Sequence, residues 1–139
     1  MDQPARLDFT RFPRAGLLTA LASVAAVLLI RIVAVAILHP PASFQPLTLF
    51  IPIIDTAIGV WGAVFVFWKI GYYSGDPIRT YRKVAAGVLL ISFAPDIAIA
   101  TQHMLGAGWP EASALMSMHV AVWAICVTIL PRLVAAKSF

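Results

Sequence analysis

The sequence predicts an all-α integral membrane protein, a four-helix bundle of up-down-up-down topology with both termini cytoplasmic. Three observations carry that prediction. The first is composition: of 139 residues, 61% are hydrophobic and only 12% charged, with a mean hydropathy of +0.91. A soluble domain is about 45–50% apolar and about 25% charged. The balance excludes a soluble globular enzyme, a disordered chain and a nucleic-acid-binding domain. The second is length. Four apolar stretches each supply the roughly 20 residues that a helix needs to cross a hydrocarbon core about 30 Å thick. The third is that the basic residues gather beside alternate ends of those stretches, as membrane orientation requires. A barrel is excluded, because it needs many short alternating segments closed into a sheet.

The elements follow in order. The first span, about 15–38, comes after Arg6, Arg11 and Arg14. A basic start, an apolar run and Ala34-Val35-Ala36 imitate a signal peptide with its cleavage site. The run is too long for one and Arg31 interrupts its end, so it reads as a retained span. A proline-rich segment from His39 to Pro46 separates it from the second span, about 47–70. Gly71 to Pro77 opens the next connection, and the third span covers about 84–105. Gly106-Ala107-Gly108-Trp109-Pro110 is a tight turn, with Pro110 suited to the first position of a helix. The fourth span covers about 111–131. Short connections make consecutive helices antiparallel neighbours. Residues 1–139 therefore read as one transmembrane domain.

Orientation follows from Lys and Arg. Arg6, Arg11 and Arg14, then Lys69, Arg79, Arg82 and Lys83, then Arg132 and Lys137 fall at one end; the first and third connections carry none. The positive-inside rule places that end in the cytoplasm and the protein in the cell's inner (plasma) membrane. Trp68, Tyr72, Tyr73 and Tyr81 mark the inner interface and Trp109 the outer one. The net charge of +4 would point to nucleic acid in a soluble chain; here orientation accounts for it, and the expected partner is the bilayer. Cys126, the one cysteine, lies in an apolar run and reads as a small packed hydrophobe.

Charged groups within the hydrocarbon are rare and usually face the bundle interior. Arg31, Asp55, Asp96 and His119 come one from each span. Counted from the span ends at 1.5 Å per residue, all four fall roughly 10–14 Å below the outer surface. They are read as one buried polar cluster, a ligand or proton site. Ser92 and His103 share the Asp96 face of the third helix, and Ser117 lies on a small-residue stripe beside His119; these three are supporting residues. Asp55 shares its face with Gly59, Gly62 and Val66. Pro52 and Pro95 beside the two aspartates are expected to disturb their helices, as in the broken helices that line transporter sites.

Two readings of the cluster stay open. Arg31–Asp55 and Asp96–His119 can be interhelical pairs that fix the bundle register. The same groups can form a pocket for a cation, a protonated amine or a polar head group, with the Asp–His couple exchanging a proton. Haem ligation by His39, His103 or His119 fits poorly, since the histidines differ in depth. A metal on Asp55, Asp96 and His119 is opposed by the charge of Arg31. No nucleophile motif is present. No catalytic residue, metal site or cofactor is assigned.

Ile91-Ser92-Phe93-Ala94-Pro95-Asp96-Ile97 and Ala114-Leu115-Met116-Ser117-Met118-His119-Val120 resemble segments of uncharacterised bacterial families of small four-helix membrane proteins. The resemblance implies a four-span bundle with Asp96 and His119 as the positions to watch. The function expected is that of an accessory or binding subunit for a lipid-like or small ligand, within a larger membrane complex or a homo-oligomer. A proton-coupled transporter or channel unit is the alternative, and an intramembrane enzyme using an Asp–His acid/base couple is a second.

Overall fold

A computed structural model describes residues 7–136. Arg6 and Lys137, counted in the basic asymmetry, lie outside the described residues. The chain is helical, with four helices long and apolar enough to cross a membrane. They are α1 (Phe12–Leu38), α2 (Phe50–Tyr73), α3 (Pro77–Gln102) and α4 (Trp109–Val134).

The helix ends differ from the apolar limits for local reasons. A 3-10 turn, Phe9–Arg11, leads into α1, and Pro13 sits in the first turn, where its missing N–H costs nothing. α2 begins at Phe50 rather than 47, because Gln45–Leu47 form a separate 3-10 turn. α3 begins at Pro77, seven residues before the apolar run. Asp76 caps it by accepting from the Arg79 N–H at 3.1 Å, so the helix runs through Arg79, Arg82 and Lys83 before it becomes apolar. α1 and α3 both stop at a histidine in the left-handed region, His39 (φ 48°) and His103 (φ 50°). At the start of α4 the Glu111 carboxylate accepts from the Gly108 N–H at 2.9 Å, and α4 continues through Pro131 to Val134. Pro52 lies in the first turn of α2, and α3 stays continuous across Pro95. The expected breaks beside the aspartates are therefore absent among the described residues.

The most extensive packing joins α1 to α4, then α4 to α3 and α1 to α2. The α1 face that makes this possible is small: Ala15, Gly16, Thr19, Ala20 and Ser23 are all buried. Small residues let helices approach closely where apolar burial gives no advantage over lipid. A Cβ on Gly16 would lie 3.0 Å from the Trp61 ring and 3.1 Å from Val64. The two ends of the described stretch meet at one end of the bundle, where Leu7 bridges Ala135 and the Asp8 N–H donates to the Val134 carbonyl at 2.8 Å. An aromatic string crosses this end: Tyr72 on Phe9, Phe9 on Phe12, Phe12 on Phe67, and Phe67 on Tyr81 at 4.3 Å. Arg11, Arg14, Lys69, Arg79, Arg82, Lys83 and Arg132 belong to this same basic end.

α2 and α3 are joined by three residues yet share much less contact than the other neighbours. They meet through Phe67 and Tyr81 near their connection.

Candidate functional site

The register between helices fixes which residues share a level. Phe12 packs on Phe67, Gly16 lies under Trp61, and Arg31 reaches Leu47. As α1 advances α2 recedes, and the same register sets Ser23 level with Thr56. From the Asp8–Val134 bond, equal steps along α1 and α4 bring Ser23 level with His119. Asp96 on α3 meets His119 directly, Nε2 to Oδ2, at 3.2 Å.

This level is a seam in the core. On the basic side, one apolar cluster contains Phe12, Val60, Phe67, Tyr81, Cys126 and Leu130. On the other side, a second contains Val27, Phe44, Leu47, Ala107 and Met118. Val122 packs against both. Between them each helix contributes a polar side chain: Ser23, Thr56, Asp96 and His119. Ser23, Thr56 and Asp96, with Thr19, are the buried polar residues among those described.

The seam is incompletely satisfied. Thr19, Ser92, Ser117 and Thr128 turn their hydroxyls back to carbonyls of their own helices at 2.6–2.7 Å. Ser23 does not: its Oγ is buried without a hydrogen-bond partner, as are Asp96 Oδ2 and, one turn from His119, Trp123 Nε1. The 3.2 Å approach of His119 to Asp96 is an ion-pair distance without hydrogen-bond alignment, so Oδ2 keeps its acceptor capacity. A buried carboxylate oxygen left this way carries a desolvation cost that a donor would relieve.

The seam is also open on one side. His119 lies on the stripe of α4 that carries Ala112 seven residues earlier and Cys126 seven later, both buried. Its side chain is nevertheless 42% exposed, while that of Asp96 is 4% exposed. The face of α4 that points to the core is thus uncovered at this level. The imidazole stands between the exterior and the Asp96 carboxylate.

The structure brings together two of the four expected cluster residues, Asp96 and His119. Arg31 and Asp55 do not join them or each other. The Arg31 Nε donates to the carbonyls of Leu47 at 2.9 Å and Thr48 at 3.2 Å, holding the α1–α2 connection against α1. Asp55 is exposed on α2. Two causes separate them. Leu47 folds inward as part of a 3-10 turn, which sets α2 lower against α1 than its apolar run implies. The core face of α2 is Pro52, Thr56, Val60, Val64 and Phe67, one residue out of phase with Asp55. Of the supporting residues, Ser92 is half-buried and bonded to Leu89, while Ser117 and His103 are exposed. Ser23 and Thr56 were missed; their signal is the stripe of small and hydroxyl residues on α1 and the four-residue repeat on α2. Two open grooves of about 530 and 560 Å³ sit at the basic end, beside Arg14 and beside Arg82, away from the seam. No set of three metal-ligating side chains occurs among the described residues.

The chain matches no family model, no curated protein and no solved structure.

Proposed function

We propose that this chain is a multi-pass protein of the inner (plasma) membrane, an up-down-up-down bundle with cytoplasmic termini. In this reading it binds a small polar or lipid-like ligand at the Asp96–His119 seam and serves as a binding or accessory subunit of a membrane assembly. The observation that carries it is the seam: two apolar clusters parted by a layer with a buried, under-satisfied carboxylate and an uncovered imidazole. Binding sites in bundles are built from such inward polar side chains on facing helices. The meeting of the segment before α1, the end of α4 and the α2–α3 connection, each flanked by basic residues, supports the topology and the orientation.

A native mass spectrum of the gently extracted protein tests the reading. The expected result is a small added mass on the wild-type chain that is lost in Asp96→Asn. A bare chain in both overturns it.

A second reading, a proton-coupled transport unit, is favoured by the Asp96–His119 contact, since a carboxylate–imidazole couple can take up and release a proton. Against it stands the apolar and aromatic cluster from Phe12 to Leu130, which closes the basic side of the seam within one chain.

A further inference from the structure

Asp55 is an exposed carboxylate on an apolar helix face. By the α1–α2 register it lies level with Val24, about 18 Å along an α1 roughly 40 Å long at 1.5 Å per residue. That is the middle of the apolar slab. It is exposed, and it makes no ion pair or hydrogen bond among the described residues. A carboxylate at that level is costly to leave in hydrocarbon, and such groups almost always face protein or water rather than lipid.

The surface around it is shaped for close approach. Gly59 and Gly62 lie on the same face of α2, one and two turns on, and a Cβ at either would meet nothing within 4 Å. Ile58 and Phe65 flank them, exposed. We propose that this face of α2 docks a transmembrane helix of another protein that carries one Lys or Arg near the middle of its span. Charge selects the occupant. A second copy of this chain offers no free cation at the matching level: His119, level with Thr56, already turns its Nε2 to Asp96 of its own chain at 3.2 Å. Seven of its described basic residues lie at the basic end, and Arg31 lies about seven residues further along, its Nε bound to Leu47 and Thr48. The partner's cation meets Asp55 while its backbone crosses over Gly59 and Gly62. This inference rests on the membrane-spanning reading and deepens the accessory-subunit reading; it is independent of any ligand at the seam.

The test uses the full chain in phosphatidylcholine vesicles, with a fluorescent donor at a loop position. The probe is an acceptor-labelled synthetic helix of Leu and Ala with one central Lys; its control has Leu in that place. The expected result is energy transfer to the Lys helix at about tenfold lower concentration than to the Leu helix. Asp55→Asn abolishes the difference. Gly59→Leu, which leaves the carboxylate but fills the notch, weakens association with the Lys helix. Circular dichroism of each variant confirms that the bundle is intact. Equal transfer to both helices, an unchanged preference in Asp55→Asn, or Asp55-dependent pairing of the chain with itself overturns the proposal. Flotation of the same vesicles separates the two levels: a chain that does not float with lipid overturns the membrane reading itself.

Discussion

Asp8 shows how one side chain anchors an end of the chain. Its carboxylate accepts from the Thr10 hydroxyl at 2.6 Å and the Thr10 N–H at 3.1 Å, and it lies 2.8 Å from the Arg11 Nε. These partners, the Thr10 hydroxyl first, hold its pKa below the ordinary carboxylate value. A lowered folded pKa means that the contribution to stability is present above the unfolded value of about 3.9 and is lost as pH falls through the folded one. Exchange protection of the Thr10 amide should therefore be flat from neutral pH down to about pH 4 and fall below that. Asp8→Asn should remove this dependence; protection that declines already between pH 7 and 5 would refute the assignment. At the same scale the sequence placed charges correctly by type but not by phase. Asp55 and Thr56 are adjacent, and a helix turns by about 100° between them, so an error of one residue exchanges core for surface. Asp96 and His119 were legible because their faces carry independent markers, Ala100 on α3 and Cys126 on α4.

At the scale of elements, the four spans were readable because apolar runs of that length have no other use. Their ends were not. Hydropathy marks where the slab stops, whereas caps and left-handed residues mark where a helix stops, and α3 extends well beyond the slab for that reason. Helix pairing was also hidden, because it depends on which small residues face which large ones. Gly16 under Trp61 decides the α1–α2 contact. Gly16→Ala should destabilise the bundle by about 1–3 kcal/mol through overpacking. Gly59→Ala, with open space around it, should leave the isolated chain at least as stable, by up to about 1 kcal/mol. Unfolding in mixed micelles measures both, and equal effects would show that the α1–α2 register is wrong.

For the whole molecule, the division of the core into two clusters closes the seam from both ends of the bundle. His119 is uncovered between them, so access to Asp96 is lateral, from the side of the bundle. In a Cys126→Ala background, His119→Cys should react with a lipid-soluble maleimide and not with a membrane-impermeant one added on either side. Rapid reaction with the impermeant reagent would contradict the closed ends.

The dominance of the α1–α4 contact has a consequence for how the protein is made. Among the described helices α1 finds its principal partner only in α4, three helices later in the chain. Until α4 emerges, the small-residue face from Ala15 to Ser23 has only α2 to pack on, through Gly16, and Asp96 has no imidazole beside it. A chain stopped after α3 would present both to the lipid or to the insertion machinery. Packing of α1 is thus complete only once α4 has been made.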